Sequence, residues 1–306
     1  MPNYPIASGH PDLSNLNWIP QLYASRLLIA LYAATCIAAI SNTDYEGVAK
    51  EQGDKVIIRS LPTITDRTHV KGQALVYDDP SPGSTELLLD KGRYWGFRVD
   101  LVDEKQSDIE YVDKWAKHAS MTQKVNIETV AFADIYSGVH PRNVGASAGL
   151  ISTAINMGTS GTPRALTSAN VVDAIVDCGV VLDEQNVPDE DRWLILPSRI
   201  CGLVKKSDLK DASLLGEPVS MLRNGKIGMI DRFTIYRSNC LYKYVADGAT
   251  HCLFGHPMSL TWASQMVHQE LLKNPNAFGD IVRALTVYGY KIVKPEAMGD
   301  LYASLG

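Results

Sequence analysis

The chain has 306 residues, of which 45% are hydrophobic and 21% are charged, and its formal net charge is −5. This composition excludes a collagen-like or intrinsically disordered chain, and the length predicts about two globular domains. Proteins that bind nucleic acid through many phosphate contacts are normally basic, so the acidic balance argues against sequence-specific nucleic-acid binding.

The N-terminal region is predicted to be an extended arm followed by a helix. Residues 1–20 are rich in Pro, Asn and Ser and lack the basic start of a signal peptide. The uncharged run at 27–40 has 14 residues, fewer than the roughly 20 that a membrane span requires. We therefore expect a helix that is covered by protein, either by its own chain or by a neighbour, and no membrane partner.

A two-stranded ribbon is predicted between residues 53 and 102. The stretches that favour strands are 55–59, 70–77 and 85–101, and a dense turn signal lies at 78–83. Trp95, Phe97 and Val99 alternate with polar residues, so one face of the ribbon is apolar. Because an isolated hairpin is marginal in water, we expect this face to pack on a neighbouring subunit.

A long helix is predicted from Ser107 to Ser137. Its first residues, Ser107 to Glu110, fit a capping box, and Gly138 and Pro141 end it. At 1.5 Å per residue it would be roughly 45 Å long, more than a compact domain needs, which indicates a spine. The Gly-, Ser- and Thr-rich segment at 145–163 is predicted to be a flexible connector.

The rest of the chain mixes helices and strands. The predicted helices are 167–185, one beginning at 198, 259–272 and a short final one from 295. The predicted strands are 192–196, 225–230, 233–237 and 285–293, with a tight glycine turn between the second and the third. The fold class is therefore α+β, with a projecting hairpin and arm.

No motif indicates an enzyme. Phosphate-binding loops and nucleophile elbows are absent from the sequence. His251 and His256 lie five residues apart without a second ligand pair, so no metal site is expected. The acids at 100–110 surround a predicted helix N-terminus, where the helix dipole favours negative charge. We therefore predict no catalytic residue, cofactor or metal.

The five cysteines are scattered and form no C-x-x-C pair, so we expect buried thiols and no disulfide framework. Charged residues on the ribbon have two interpretations, a solvated face or a charge-matched contact between subunits. Together with two aromatic residues they are the candidate inter-subunit contacts: Arg59, Arg67, Lys71, Asp78, Asp79, Trp95 and Phe97.

Four segments, in this order along the chain, resemble the major capsid proteins of tailed double-stranded DNA phages, which share the Hong Kong-type capsid fold. The segments are NTDYEG at 42–47 with QGDKV at 52–56, KGQ at 71–73 with YWGFRVDLVDEKQSD at 94–108, VPDEDRWLILP at 187–197, and residues 228–239. The resemblance spans roughly residues 20 to 295.

The resemblance implies a division of the chain into structural regions. These are an N-terminal arm (1–50), an extended β-hairpin loop lying over a neighbour (51–104), a peripheral domain with the spine helix (105–165 and 273–306), and an axial domain (166–272). Some relatives join their subunits by a lysine–asparagine isopeptide bond, but no motif here matches that chemistry.

The resemblance also implies a function. We expect self-assembly into hexamers and pentamers of an icosahedral head that encloses DNA without sequence-specific binding. The expected location is the virion, with assembly in the cytoplasm of the host bacterium. The expected partners are further copies of the chain, a separate scaffolding protein, a portal and a decoration protein. Two alternatives stay open: an encapsulin-like compartment of the same fold, and a soluble α+β enzyme centred on His251, His256 or the acids near Asp103.

Overall fold

The computed structural model describes residues 35–44, 55–59, 62, 64–80, 83–100, 111–207, 229–244, 246–274 and 277–306. Several predictions lie wholly or partly outside these residues: the arm at 1–20, most of the N-terminal helix, the acids at 101–110 with the capping box, and the first four residues of the strand predicted at 225–230. Within the described residues, no helix is long and apolar enough to cross a membrane.

The described residues form four α-helices and eleven β-strands. The helices are α1 (Ile37–Ile40), α2 (Tyr111–Ile135), α3 (Val171–Glu184) and α4 (Ser198–Lys206). The strands are β1 (Lys55–Arg59), β2 (Ser84–Leu88), β3 (Lys91–Asp100), β4 (Arg164–Leu166), β5 (Trp193–Leu196), β6 (Met229–Ile230), β7 (Phe233–Arg237), β8 (Thr250–Gly255), β9 (Leu260–Lys273), β10 (Gly279–Ile292) and β11 (Met298–Leu305).

The larger sheet has six strands in the order β4-β11-β8-β5-β7-β6. Its central strand β5 is buried at all four positions, because successive side chains point to opposite faces and both faces are covered. Leu194 and Leu196 pack in one core with the apolar sides of α3 and α4. Trp193 and Ile195 pack in a second core with α2. The predicted strand 192–196 and the helices on either side of it are confirmed.

The smaller sheet has three strands in the order β3-β10-β9, and α2 packs beside it. The helix α2 has 25 residues, which corresponds to about 37 Å, and a 3-10 turn at Tyr136–Gly138 follows it. Phe132 of α2 shares a buried cluster with Trp262 of β9 and Tyr288 of β10. The predicted spine helix is confirmed, and it links the two sheets.

A separate two-stranded hairpin is formed by β1 and β2, which pair from Lys55 with Leu88 to Arg59 with Ser84. Ile58 and Leu87 are buried against Ala263 of β9, so the hairpin rests on the smaller sheet. The described residues 64–80 belong to the connection between the two strands, and nearly all of them are exposed.

Three predicted elements are wrong. Residues 259–272 form strand β9 and not a helix, because β10 pairs with this segment along its length. Residues 70–77 are not a strand, and the partner of β3 is β10. The predicted final helix is a 3-10 turn at Pro295–Ala297, and β11 then inserts between β4 and β8.

Two predicted connections also differ. The β6–β7 turn is formed by Asp231 and Arg232 and not by glycine. Both residues take the left-handed conformation, with φ of 44° and 66°. The connector at 145–163 is not free, because Met157 N–H donates to Gly145 O at 2.8 Å and Tyr302 N–H donates to Met157 O at 2.8 Å. The first bond closes the connector on itself, and the second joins it to β11.

The domain division expected from the resemblance cuts across the observed pairing. Its boundary between 272 and 273 falls within the β9–β10 pair. Its peripheral segment 273–306 includes β11, which belongs to the six-stranded sheet. In the structure, β9 belongs to the smaller sheet, beside which the spine helix packs, and β11 belongs to the larger sheet.

Candidate interaction surfaces

Exposed apolar residues cluster in the connection between β1 and β2, hereafter the 64–80 loop. Its exposed hydrophobic residues and their exposed fractions are Ile64 (71%), Val70 (57%), Leu75 (63%), Val76 (65%) and Tyr77 (81%). Isolated exposed hydrophobic residues are common, but a series of them on one projecting loop is typical of a protein-binding surface.

An internal ion pair shapes this loop. Arg67 Nη2 lies 2.5 Å from Asp78 Oδ1, and Arg67 Nη1 donates to Val76 O at 2.9 Å. Thr65 N–H donates to Asp78 Oδ2 at 2.9 Å. The Thr65 N–H and then the Arg67 guanidinium hold the pKa of Asp78 below its ordinary value. The two sides of the loop are thereby joined, eleven residues apart in sequence.

The structure divides the candidate contact residues into three groups. Arg67 and Asp78 form an ion pair with each other. A contact of either charge with another subunit would have to compete with this pair. Lys71, Asp79 and Arg59 are exposed, Lys71 in a turn closed by Gln73 N–H donating to Val70 O. Trp95 and Phe97 form the third group.

The apolar face of β3 is partly covered by the chain itself. The Trp95 and Phe97 rings stack at 5.9 Å between centroids, and Phe97 meets Trp115 of α2 edge-on at 5.6 Å. α2 therefore covers part of this face, and the contact of Trp95 and Phe97 with a neighbouring subunit stays a prediction. Trp95 and Phe97 stay half-buried, whereas Tyr94 on the opposite face is 83% exposed.

An open groove of about 770 Å³ runs between β3 and α2. Lys91, Arg93, Tyr94 and His118 are among its lining residues, and Gln123 Nε2 crosses it to donate to Arg93 O at 2.7 Å. Since β3 is an edge strand of its sheet, the groove lies beside backbone that another strand can pair with. The mixed polar and aromatic lining suits a protein segment.

The two histidines of the enzyme alternative have separate structural partners. His251 Nδ1 lies 2.6 Å from Asp300 Oδ2, and its ring stacks on Tyr136 at 4.0 Å. His256 Nδ1 accepts Met258 N–H at 3.1 Å, and burial lowers the pKa of His256. Across the described ranges, no group of three or more His, Cys, Asp or Glu is placed to hold a metal ion. Asp103 lies outside those ranges.

All five cysteines are buried and unbridged, which confirms the prediction from their spacing. Burial raises the pKa of the Cys201 thiol to about 11, so this side chain is a neutral packing group at physiological pH.

Sequence reasoning missed two further apolar tips. Phe278, between β9 and β10, is 84% exposed, and Ile151 in the connector is 79% exposed. The Ile151 tip is held by Glu184, whose Oε2 accepts the N–H groups of Ile151 and Ser152 at 2.7 and 3.1 Å. The available signal for Phe278 was an aromatic residue inside a turn-rich sequence, NPNAFG at 274–279.

No family model matches the sequence. No curated protein matches it either. Solved structures do: a chain of Mycobacterium phage Che8 has a TM-score of 0.73 and 24% identity, covering 93% of this chain and 97% of that one. A chain of the capsid of cyanophage P-SCSP1u has a TM-score of 0.66 and 14% identity, covering 98% and 100%. A chain of the capsid of Ralstonia phage GP4 has a TM-score of 0.63 and 11% identity, covering 98% and 97%. The α+β fold of these phage structures is therefore the fold of this chain, as the sequence resemblance predicted.

Proposed function

We propose that the chain is the major capsid protein of a tailed double-stranded DNA phage, and that it assembles into the hexamers and pentamers of an icosahedral head. The observation that carries the proposal is the fold, which matches phage capsid chains over nearly the whole of both lengths. The exposed apolar tips of the loops are consistent with a subunit that is completed by its neighbours.

The proposed mechanism is geometric. Each apolar side chain of the 64–80 loop that is buried on a neighbour contributes about 1.5 to 3 kcal/mol. The Arg67–Asp78 pair holds the loop in shape before contact, which reduces the ordering cost of binding. Heterologous contacts form rings when the rotation between neighbouring subunits closes, which the proposal requires of the hexamers and pentamers.

The remaining parts of the proposal concern partners and location. In it, the N-terminal arm and the extended loop overlap adjacent subunits, and the axial domains meet at capsomer centres. Scaffolding protein, portal and decoration protein bind from outside the chain, and the head encloses DNA without reading its sequence. Assembly takes place in the host bacterial cytoplasm and the product is the virion. Exposed Lys71, Asp79 and Arg59 are the proposed charged contacts.

The purified chain is expected to form capsomers, shells or irregular polymers, alone or with its scaffolding protein. Negative-stain electron microscopy and analytical ultracentrifugation measure this directly. A monomer that persists over a wide range of concentration, salt and added scaffold contradicts the proposal. Particles that contain a packaged enzyme and no nucleic acid point instead to an encapsulin-like compartment.

Tyr77→Asp is expected to reduce assembly more than tenfold, because it replaces a ring that is 81% exposed in the subunit with a third acid beside Asp78 and Asp79. The free energy of unfolding of the subunit should change by less than about 0.5 kcal/mol, as is usual at exposed positions. Sedimentation measures assembly and urea denaturation measures stability. Tyr77→Phe is the matched control and should assemble normally. Assembly of Tyr77→Asp at the wild-type level would show that the loop tip does not contact a neighbour.

A further inference from the structure

One row of side chains along the spine helix changes from exposed to buried. Residues spaced alternately four and three apart lie on the same side of a helix. One such row in α2 consists of Lys117, Met121, Lys124, Glu128, Ala131 and Ile135. Its last three residues are buried, and Ala131 and Ile135 lie in the core that α2 shares with β5. Its first three residues are exposed, so the side of α2 that is covered in its C-terminal half is uncovered in its N-terminal half.

The exposed part of this row is basic. Lys114 lies one turn before Lys117, and these two residues with Lys124 are hereafter the lysine stripe; all three are exposed. Residues 114–127 contain no acid, and the next residue, Glu128, is buried. None of the three lysines forms an ion pair with a described residue. The stripe is therefore a local concentration of positive charge on a chain whose net charge is −5.

The groove beside the stripe does not neutralise it. Arg93 of β3 and His118 of α2 line this groove. Asp134 is the one acid among the described residues that line it, and it accepts the Tyr290 O–H at 2.8 Å. The acid closest to the stripe in sequence is Asp113, which directly precedes its first lysine. Removal of that charge therefore provides a reciprocal test of the stripe.

A polyanion fits this surface better than a protein does. Lysine is depleted at protein–protein interfaces, where the binding energy is concentrated in buried aromatic and arginine side chains. Met121 is the one apolar residue in the exposed part of the row. A lysine ammonium on its flexible stem binds phosphate as a point charge. From Lys114 to Lys124 the helix rises about 15 Å, a length over which a DNA duplex carries roughly nine negative charges.

We propose that the lysine stripe binds the phosphate backbone of double-stranded DNA without reading its base sequence. Contacts to phosphate position a protein on the duplex and carry no sequence information of their own. In an assembled head, the stripe faces the enclosed DNA. That placement rests on the proposed function, whereas the binding of DNA by the stripe does not.

The binding of a short fluorescein-labelled DNA duplex to the full-length chain tests the stripe, with fluorescence anisotropy measured from about 50 to 200 mM NaCl. The logarithm of the association constant changes with the logarithm of the salt concentration by about −0.9 for each phosphate neutralised. Replacing Lys114, Lys117 and Lys124 together by Gln is expected to weaken binding more than about tenfold and to make this slope shallower by roughly 2.7. Asp113→Asn should strengthen binding. Duplexes of different base sequence should bind the wild type equally.

The matched control replaces three exposed lysines outside α2 by Gln: Lys206, Lys243 and Lys294. It removes the same charge from the chain, and it should bind DNA nearly as the wild type does. Equal losses in the two triple variants refute the proposal, and so does a wild type without measurable affinity for the duplex. A stripe variant that binds DNA normally but no longer forms shells assigns the lysines to an acidic protein surface instead.

Electron microscopy scores shell formation separately. The stripe variant is expected to assemble as the wild type does, because its lysines contact DNA and not a neighbouring subunit. A wild type that never assembles contradicts the proposed function but not the binding of DNA by the stripe, which needs no shell to be measured.

Discussion

Arg192→Ala is expected to lower the free energy of unfolding by about 3 to 5 kcal/mol, because it leaves carbonyl groups without donors and opens a cavity. The Arg192 side chain has no exposed surface. Its Nη1 lies 2.7 Å from Asp183 and its Nη2 lies 2.9 Å from Asp189. Both acids are partly exposed, so these ion pairs account for only a small part of the loss.

The larger part of the loss comes from buried carbonyl groups. Arg192 Nη2 donates to the buried Val187 O at 2.6 Å and Nη1 donates to the buried Gly179 O at 3.4 Å, while Nε donates to the part-buried Pro188 O at 2.8 Å. Truncation leaves these acceptors without donors and opens a cavity beside the six-stranded sheet, and both effects destabilise the native state. Arg192→Lys should recover little, because a single ammonium cannot reproduce the planar arrangement of donors.

Arg232→Ala is the matched control, since Arg232 binds the same two acids, Asp183 at 2.8 Å and Asp189 at 2.7 Å, but is 39% exposed. Its loss should not exceed about 1 kcal/mol. Urea denaturation followed by tryptophan fluorescence, to which the buried Trp193 contributes, measures both variants. Equal losses for the two arginines would show that burial does not determine the contribution of this network.

The sequence predicted best those elements whose signals are local. The spine helix, α3, α4 and β5 have periodic apolar residues or a short buried run between turn signals, and all four are confirmed. Strand β9 was predicted as a helix because its residues, such as Ala263, Met266 and Leu271, also favour helices. Its structure is decided by pairing with β10, a tertiary contact that a local pattern does not contain.

For the candidate interaction surfaces too, local patterns were predicted from the sequence and tertiary contacts were not. Alternation along β3 correctly placed Trp95 and Phe97 on one face, but it could not identify Trp115 as the residue that Phe97 contacts edge-on. The charges of the loop had two interpretations from the sequence, a solvated face or a contact with another subunit, and neither included the pairing of Arg67 with Asp78 within the loop. A sequence pattern tells which residues share a face, and only the folded chain tells what that face contacts.

Gly158→Ala is expected to lower the free energy of unfolding by about 2 to 4 kcal/mol, which combines left-handed backbone strain with overpacking. Gly158 has φ of +83°, and a Cβ at this position would overlap the carbonyl oxygen of Tyr302 in β11. Relieving the overlap would require moving the connector away from β11, which breaks the hydrogen bond from Tyr302 N–H to Met157 O. The variant therefore tests whether the connector is a fixed part of the larger sheet.

Gly161→Ala separates the two causes. Gly161 has nearly the same φ, +84°, but a Cβ there would meet no atom within 4 Å. Its loss should be limited to the backbone strain, about 1 to 2 kcal/mol. Urea denaturation of both variants measures the difference, which isolates the contact with Tyr302. If the two glycines prove equally tolerant of alanine, the connector moves freely, as its glycine content suggested; a larger loss at Gly158 means that β11 holds it in place.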